Sequence, residues 1–205
     1  MREKWDQRYS ESESPFGFEP NDFVVEVADL IPPGAVLCLA EGQGRNAVYL
    51  AGRGHRVTAM DLSPVGLAAA ERLALERGVR IVTECADLED YAIAEAAWAG
   101  IVSVWVQVER PLREAMHRAA ARGLAPGGVL VIEAYTPSQL ERATGGPPDG
   151  DRFPTLADLR RELDGLEFEV AREHTREIHE GRCHNGTSDV VQVVARRPRP
   201  VASGV

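Results

Sequence analysis

The chain has 205 residues, 44% of them hydrophobic, and a formal net charge of −9, which suits one domain that buries a core on both faces of a sheet. Because a negative chain repels a phosphate backbone, we expect no nucleic-acid partner. The N-terminus has no apolar leader and no stretch reaches the length of a membrane helix, so we expect a cytoplasmic protein without membrane association.

The N-terminal segment, residues 1–30, carries aromatic residues among many Ser, Glu and Gly residues. Its spacing predicts a short helix over Glu3–Tyr9, a loop, and a second helix over Phe23–Leu30 that ends at the prolines which follow. Trp5, Tyr9 and Phe16 are either ordinary packing anchors or parts of a lid that folds over a ligand. The segment has little core of its own, which favours the lid.

Residues 37–61 place two glycines between a buried strand and a helix, and end the next strand with an acid. Gly42 and Gly44 let a ligand approach the main chain at a helix N-terminus, and Asp61 can accept hydrogen bonds from a ribose diol. This pattern predicts a nucleoside site. The spacing Gly42-x-Gly44-x-x-Ala47 also fits the dinucleotide fingerprint, which keeps an NAD-dependent oxidoreductase as an alternative.

Strands and helices alternate along most of the chain. Ser63 and Pro64 are a typical start for a helix that runs to Arg77, and Thr155 is a typical cap for a later one. Such alternation predicts an α/β fold, a doubly wound, mostly parallel sheet with helices on both faces. The predicted strands are 35–40, 56–60, 79–83, 101–106 and 129–134, and the other predicted helices are 45–52, 111–122 and 155–163.

The C-terminal part changes character. Gly145–Gly150 reads as a mobile loop, and two β-rich runs, Glu167–Ile178 and Ser188–Ala195, follow without a helix between them. Two strands joined this way are expected to pair as an antiparallel hairpin, with residues 180–186 as the connection. Residues 197–205 are expected to form a flexible basic tail.

This order of elements, with a Pro-Gly turn before the fifth strand, resembles the class I S-adenosylmethionine-dependent methyltransferases. Several short motifs are similar to the bacterial branch that includes tellurite-resistance methyltransferases: Trp5-Asp6-x-Arg8-Tyr9, Phe16-Gly17-x-x-Pro20-Asn21, the segment 39–51, and Glu133-Ala134-Tyr135. The resemblance implies a Rossmann-like methyltransferase domain over residues 31–196, S-adenosylmethionine as cofactor, and a small-molecule acceptor. It predicts no oligomeric state.

The chain departs from the usual [DE]-x-G-x-G-x-G pattern of that family. Cys38 stands at the acid position, and Ala40 and Asn46 stand at the first and third glycines. Glu41 is the expected electrostatic substitute. Where relatives have a histidine after the fourth strand, this chain has Gln107, to which no role is assigned.

The resemblance assigns the cofactor-binding residues. Asp61 is expected to hold the ribose hydroxyls and Asp87 the adenine amino group, while Arg45 and Asn46 approach the amino acid end of the cofactor. A surface ion pair is the alternative for Arg45. The expected set is Ala40, Glu41, Gly42, Gly44, Arg45, Asn46, Asp61, Leu62, Asp87 and Leu88.

The acceptor side is expected to include Tyr9, Phe16, Glu133 and Tyr135. His184, in the hairpin connection, is the candidate catalytic base, and a turn histidine in solvent is the alternative. A thiol or a metalloid oxyanion would need no base, whereas a hydroxyl or ammonium acceptor would. The residues expected to attract an anionic acceptor at the mouth are Arg113 and Arg142.

Two further expectations concern the cysteines and histidines. Cys38, Cys85 and Cys183 lack C-x-x-C spacing and are expected to be reduced, without a disulfide. His179, Cys183 and His184 lack a fourth ligand, so no metal is expected.

The predicted function is S-adenosylmethionine-dependent methyl transfer to a small molecule. Three alternatives remain: an oxidoreductase, for which the chain lacks room for a second mononucleotide half, a non-catalytic S-adenosylmethionine-binding protein, and an enzyme that methylates a protein partner.

Overall fold

The computed structural model describes residues 1–10, 14–142 and 144–200. The strands among them are β1 (Ala35–Leu39), β2 (Arg56–Asp61), β3 (Val82–Cys85), β4 (Trp98–Val104), β5 (Leu124–Tyr135), β6 (Glu167–Glu180) and β7 (His184–Arg196). The α-helices are α1 (Arg2–Tyr9), α2 (Asp22–Val27), α3 (Arg45–Gly52), α4 (Pro64–Glu76), α5 (Arg110–Gly123) and α6 (Leu156–Glu162). Short 3-10 helices cover Ala28–Leu30, Pro137–Glu141 and Gly150–Arg152.

The strands form one sheet in the order β3-β2-β1-β4-β5-β7-β6. Neighbours from β3 through β5 pair in parallel, whereas β7 pairs antiparallel with both β5 and β6. The predicted doubly wound sheet with a C-terminal antiparallel hairpin is therefore confirmed. Its strand order reverses between β1 and β4, and this is where open α/β sheets bind ligands, beyond the carboxyl ends of the strands.

Helices cover both faces of the sheet, because the apolar side chains of each strand point alternately to one face and to the other. In β1, Val36 and Cys38 pack with α2, α3 and α4, whereas Leu37 and Leu39 pack with α5 and α6. Successive side chains of a strand point to opposite faces, so a continuous apolar run suits a strand buried on both sides. This two-sided core fixes the carboxyl edge on which the candidate site is built.

Helix caps follow the sequence signals. Ser63 Oγ accepts a hydrogen bond from Gly66 N at the start of α4, and Thr155 forms a capping box with Asp158 at the start of α6. Both were predicted as N-caps and are confirmed. Asn21 caps α2 by accepting from Val24 N, a role that the sequence pattern did not assign.

Several strand boundaries differ from the prediction, and β4 covers Trp98–Val104 instead of 101–106. β6 and β7 extend through polar residues, because their pairing continues to Glu180 opposite His184 and leaves only residues 181–183 as the turn. β5 begins at Leu124, since Leu124 pairs with Trp98 across a register shift. β3 begins at Val82, three residues late, on the exposed edge of the sheet where the apolar pattern is weak.

The first residue of the predicted tail, Arg197, is hydrogen-bonded to the start of β5. Arg197 N donates to Gly128 O, and Gly127 N donates to Arg197 O, so the chain continues along β5 beyond Arg196. The expected flexible stretch falls partly on residues 201–205, which lie outside the described part of the chain. No helix among the described residues is both long and apolar enough to cross a bilayer.

A buried ion cluster joins α5 to α6. Arg113, 2% exposed, donates from Nη2 to Glu162 Oε1 at 2.8 Å, and His117 Nδ1 lies 2.6 Å from Glu162 Oε2. Burial favours the neutral form of Glu162, but the hydrogen bonds from His117 and Arg113 outweigh it and lower the pKa of the carboxyl to about 2. Arg113 therefore links α5 to α6 through a buried ion pair. The sequence analysis instead expected it to attract an anionic acceptor at the mouth of the site.

Candidate functional site

The glycine turn after β1 is held by the acid that ends β2. Gly42 and Gly44 adopt φ values of +62° and +86°, which side chains rarely tolerate. Asp61 Oδ2 accepts from Gly42 N at 2.8 Å, and its Oδ1 accepts from Ser63 N at 2.8 Å. Burial raises the pKa of Asp61, against the backbone N–H groups of Ser63 and Gly42, which lower it.

Asp61 keeps acceptor capacity for a ligand. A carboxylate has about four lone-pair sites, and the backbone N–H groups of Gly42, Ser63 and Leu62 interact with that of Asp61, which leaves capacity for a ligand. Its position at the switch point, beside a turn that lacks side chains at Gly42 and Gly44, fits a nucleoside with a ribose diol.

Glu41 caps the helix that follows the turn. Its Oε1 accepts from Asn46 N at 2.9 Å and from Ala47 N at 2.8 Å, both in the first turn of α3. Burial outweighs these bonds and raises the pKa of Glu41 to about 7. This acid, which the sequence analysis expected to substitute for the missing family acid, therefore titrates near neutral pH.

Substitution of Glu41 with glutamine is expected to stabilise the ligand-free protein at about pH 8. The folded pKa lies above the ordinary 4.5, so the fold favours the neutral carboxyl, and stability is lost as pH rises from 4.5 through about 7. Glutamine keeps the Oε1 acceptor without that loss. We expect a Tm higher by about 2–4 °C at about pH 8 and little change at about pH 5.

Thermal melts of Glu41→Gln at both pH values measure this effect. Glu76→Gln, a change at an exposed position of α4, serves as the matched control and should leave both melts unchanged. A Glu41→Gln protein that melts no higher than wild type at the alkaline pH would contradict the assignment.

Tyr9, at the end of α1, lies on the glycine turn. A Cβ added at Gly42 would lie 2.6 Å from Tyr9 Oη, and one added at Gly66 would lie 2.9 Å from Tyr9 Cδ2. Tyr9 is 8% exposed, and burial, followed by the charges of Asp61 and Glu41, raises the pKa of its hydroxyl. Tyr9 was expected on the acceptor side, and in the structure its ring lies against Gly42 and Gly66.

A buried charged network lies next to this turn. Arg45 Nη2 donates to Glu180 Oε2 at 2.5 Å, and Glu180 also accepts from Asn21 Nδ2 at 2.8 Å, Trp105 Nε1 at 2.7 Å and Arg176 Nη2 at 3.0 Å. Burial favours the neutral form of Glu180, but the charge of Arg45 and the hydrogen bonds that Glu180 accepts lower the pKa of this carboxyl. Arg45 is 8% exposed, so the surface ion pair considered from sequence is wrong.

Glu133, at the carboxyl end of β5, belongs to the same network. It is fully buried and accepts from Asn21 Nδ2, from Arg176 Nε at 2.9 Å and from Gln192 Nε2 at 2.6 Å. Burial raises the pKa of Glu133, although Arg176 opposes the shift. These bonds join the N-terminal segment to the C-terminal hairpin across the edge of the sheet.

Four rings cluster beyond the ends of β4, β5 and β7. The Trp105 centroid lies 4.6 Å from that of Tyr135 and 4.9 Å from that of His184, and Phe16 lies 5.0 Å from His184. Trp105 has a φ of +58°, an uncommon conformation for a bulky residue that clusters at functional sites. We call Phe16, Trp105, Tyr135 and His184 the aromatic cluster.

His184 is buried within the aromatic cluster as the first residue of β7, with 5% exposure. The alternative of a turn histidine in solvent is therefore wrong, because the strand continues further than the sequence pattern indicated. Burial lowers the pKa of His184 to about 3, with Glu180 acting in the opposite direction. Its imidazole is neutral at physiological pH, so a lone pair is available.

Two polar atoms of the aromatic cluster have no hydrogen-bond partner among the described residues: Tyr135 Oη and His184 Nδ1. Leaving a buried polar group unpaired costs about 1–3 kcal/mol, so such atoms in a native site suggest a missing ligand.

The remaining predicted cofactor residues follow β1, β2 and β3. Asp87 is partly buried, and its Oδ1 accepts from Glu89 N at 3.2 Å. Leu88 packs against the core that contains α5, and Leu62 O lies 3.6 Å from Cys85 Sγ. Ala40, with a φ of +47°, bends the chain directly after β1. All these strand ends meet at one edge of the sheet.

Sequence reasoning missed the residues that organise the site, Asn21, Trp105, Arg176 and Glu180. Two signals were present: Arg176 and Glu180 have opposite charges on one face of a β-rich run, and Trp105 lies at the C-terminal end of a central apolar run. Arg142, expected at the mouth, instead pairs with Asp189 at 2.9 Å. Within the described ranges, no group of three or more His, Cys, Asp or Glu side chains has metal-binding geometry, and the three cysteines are unbridged.

Comparison with known proteins agrees with this geometry. Residues 36–128 match a family described as "Methyltransferase domain", a stretch that includes the glycine turn, Asp61 and Asp87. The chain is 28% identical over 117 residues to a 2-heptyl-1-hydroxyquinolin-4(1H)-one methyltransferase of Mycobacteroides abscessus, covering 56% of this chain and 52% of that protein. It is 34% identical over 123 residues to a ubiquinone biosynthesis O-methyltransferase of Xanthomonas axonopodis pv. citri, covering 58% and 52%. The matched segments thus span about half the length of these relatives.

Solved structures show the same fold. TehB from Haemophilus influenzae matches with a TM-score of 0.73 at 22% identity, covering 96% of this chain and 66% of that one. The N-methyltransferase NodS from Bradyrhizobium japonicum, in complex with S-adenosyl-L-homocysteine, matches with a TM-score of 0.72 at 17% identity, covering 97% and 98%. A structure from work on the conversion of a disulfide bond into a thioacetal group during echinomycin biosynthesis gives 0.79 at 23% identity, covering 99% and 94%.

Proposed function

We propose that this chain is an S-adenosylmethionine-dependent methyltransferase that acts on a small molecule. The observation that carries the proposal is the left-handed glycine turn tied to Asp61 at the switch point of the sheet, within a segment that matches methyltransferase domains. The proposed donor site comprises Ala40, Glu41, Gly42, Gly44, Arg45, Asn46, Asp61, Leu62, Asp87 and Leu88.

The residues fit this donor on chemical grounds. Asp61 offers lone pairs to a ribose diol, and the half-neutral Glu41 can ionise to face a cationic donor. Bound S-adenosylmethionine would supply an electrophilic methyl group on a sulfonium. The protein must align the nucleophile with this methyl group and exclude water. The buried hydrogen-bond network around Glu180 makes this side of the site rigid.

The proposed acceptor is a small molecule with a soft or ionisable nucleophile, for which a thiol and a metalloid oxyanion are the starting candidates. Similarity to TehB supports a relation to the tellurite-resistance branch, and both curated relatives are named as methyltransferases of small molecules. The three unbridged cysteines are typical of a reducing compartment, and we retain the cytoplasm as the proposed location.

We further propose that residues 1–30, of which the structure describes 1–10 and 14–30, form a lid over residues 31–196. α1 packs on α4, Tyr9 covers the glycine turn, and Cys183 N donates to Pro15 O at 3.0 Å. Donor binding should hold this lid closed, so trypsin cleavage after Lys4 and Arg8 is expected to slow at least about fivefold in S-adenosylmethionine.

Limited proteolysis of the full chain with and without the donor measures the protection. Tyr9→Ala, which removes the ring from the glycine turn, should lose it. Cleavage of the wild-type lid at an unchanged or faster rate would contradict the lid.

Transfer of a radiolabelled methyl group tests the function itself. The full chain is incubated with methyl-tritiated S-adenosylmethionine and separate acceptors: 2-mercaptoethanol, 2-naphthol, 2-naphthalenethiol, selenite and tellurite. Label should move to at least one of them and S-adenosylhomocysteine should accumulate in equal amount. Donor binding without transfer to any acceptor would favour the non-catalytic alternative.

A further inference from the structure

We propose that Tyr135 Oη and His184 Nδ1 form the hydrogen-bonding pair of an acceptor subsite that takes a flat aromatic molecule bearing an uncharged hydroxyl or thiol. This inference rests on the proposed methyl transfer and narrows its acceptor. It selects an aromatic hydroxyl or thiol over an aliphatic thiol or a metalloid oxyanion.

The first support is the pair of unpartnered atoms. Tyr135 is fully buried and His184 is 5% exposed, yet neither Tyr135 Oη nor His184 Nδ1 has a hydrogen-bond partner among the described residues. Their ring centroids lie 5.4 Å apart, so the two side chains adjoin. A hydroxyl or thiol is a donor and an acceptor at once, and it would satisfy a histidine lone pair and a tyrosine O–H together.

The second support is the shape and composition of the walls. Trp105 and Tyr135 lie at 31° to each other with centroids 4.6 Å apart, while Phe16 and Trp105 each meet His184 edge-on. Because these rings already contact one another, a planar acceptor packs against the outside of the cluster, where it gains offset-stacked and edge contacts. Phe16 lies on the proposed lid, so the lid can move aside to admit the ring.

The third support is the charge balance. Arg45 is paired with Glu180, and Arg176 with Glu133 and Glu180, so these two buried guanidinium groups are already neutralised. Arg8, which also acts on His184, is partly exposed over the Trp5 ring. An oxyanion would exchange its hydration for a largely neutral aromatic pocket, which is unfavourable without a dedicated cation.

The reaction at this subsite balances. The acceptor oxygen or sulfur forms a bond to the methyl carbon while the carbon–sulfonium bond breaks and its electron pair stays on the donor sulfur. The acceptor proton passes to the His184 Nδ1 lone pair. His184, whose environment disfavours the charged ring, then releases that proton to water. The products are the methylated acceptor and S-adenosylhomocysteine.

Acceptor kinetics on the full chain with saturating S-adenosylmethionine test the subsite. We expect kcat/KM for 2-naphthol and 2-naphthalenethiol to exceed that for 2-mercaptoethanol and tellurite at least about 100-fold. Tyr135→Phe should raise KM for 2-naphthol about 3–10-fold. His184→Phe, which keeps an aromatic ring, should lower kcat at least about 100-fold.

Stability separates a binding role from a structural one. Because Tyr135→Phe removes an unpaired buried hydroxyl, we expect its Tm to rise by about 2 °C or more while its KM rises. Tyr49→Phe, on the outer part of α3, is the matched control and should change neither acceptor parameter. A lower Tm together with an unchanged KM would overturn the role of Tyr135.

Donor binding, measured by calorimetry, distinguishes failure of this inference from failure of the proposed function. If S-adenosylmethionine binds but 2-mercaptoethanol or tellurite is methylated as well as the naphthyl probes, or if His184→Phe keeps full turnover, the subsite is wrong and methyl transfer stands. If the donor binds but neither naphthyl probe binds in the presence of S-adenosylhomocysteine, the subsite is again overturned. If the donor itself does not bind, the proposed function fails.

Discussion

Substitution of Asp61 with alanine is expected to weaken S-adenosylmethionine binding at least about 100-fold. The side chain accepts from Gly42 N and Ser63 N, so its loss both removes the proposed ribose acceptor and releases the glycine turn. Hydrogen bonds to charged groups contribute about 1.5–3 kcal/mol each, and two such losses account for this factor. Isothermal titration calorimetry on the folded variant measures it.

Two variants make the result specific. Asp61→Asn keeps one carbonyl acceptor but directs an NH2 group toward the second N–H, so it should bind with intermediate affinity. Asp90→Ala removes an exposed acid from the loop after β3 and should bind like wild type. An Asp61→Ala protein that melts cooperatively and binds the donor within about threefold of wild type would refute the donor site.

The largest stability effect is expected from Glu162→Ala. This change leaves Arg113, 2% exposed, as a buried charge without its carboxylate, at a cost of about 3–5 kcal/mol. For a domain of this size the loss corresponds to a Tm lower by about 6–15 °C. Thermal melts and urea unfolding near neutral pH measure it.

The stability that this cluster contributes depends on pH through the ionisation of the Glu162 carboxyl. Its folded pKa of about 2 lies below the ordinary 4.5, so its contribution is complete above 4.5 and is lost as pH falls toward 2. Wild type should therefore lose more stability on acidification than Glu162→Ala. The double variant Arg113→Met/Glu162→Leu, which removes both charges, should recover most of the loss. A Glu162→Ala protein as stable as wild type at neutral pH would contradict the cluster's role.

The sheet and helices were predictable because hydrophobic periodicity is local. The helix over Arg45–Gly52 and the caps Ser63 and Thr155 follow directly from residue type and spacing. The turn of the hairpin was misjudged because pairing between two long strands overrides polar composition. Local pattern cannot show that Glu180 pairs with Arg45 at a separation of 135 residues, since only the folded sheet edge brings them together.

The part of the candidate site that comes from one continuous segment could be predicted from the sequence. The part that combines residues from distant segments could not. Gly42, Gly44 and Asp61 lie within a single strand–turn–helix–strand unit, and the structure joins them as expected. The aromatic cluster combines the N-terminal segment, the residue directly after β4, and strands β5 and β7. Neither the burial of His184 nor its contact with Trp105 can therefore be read from spacing. Arg113 was misplaced for the same reason, because its partner lies on another helix.

Calorimetric titration of the full chain with S-adenosylmethionine, and separately with NAD, tests the central claim most directly. The glycine turn held by Asp61 predicts one site for S-adenosylmethionine with a dissociation constant on the order of micromolar and no measurable binding of NAD. Saturable binding of NAD with no heat from S-adenosylmethionine would contradict the account and favour the oxidoreductase alternative.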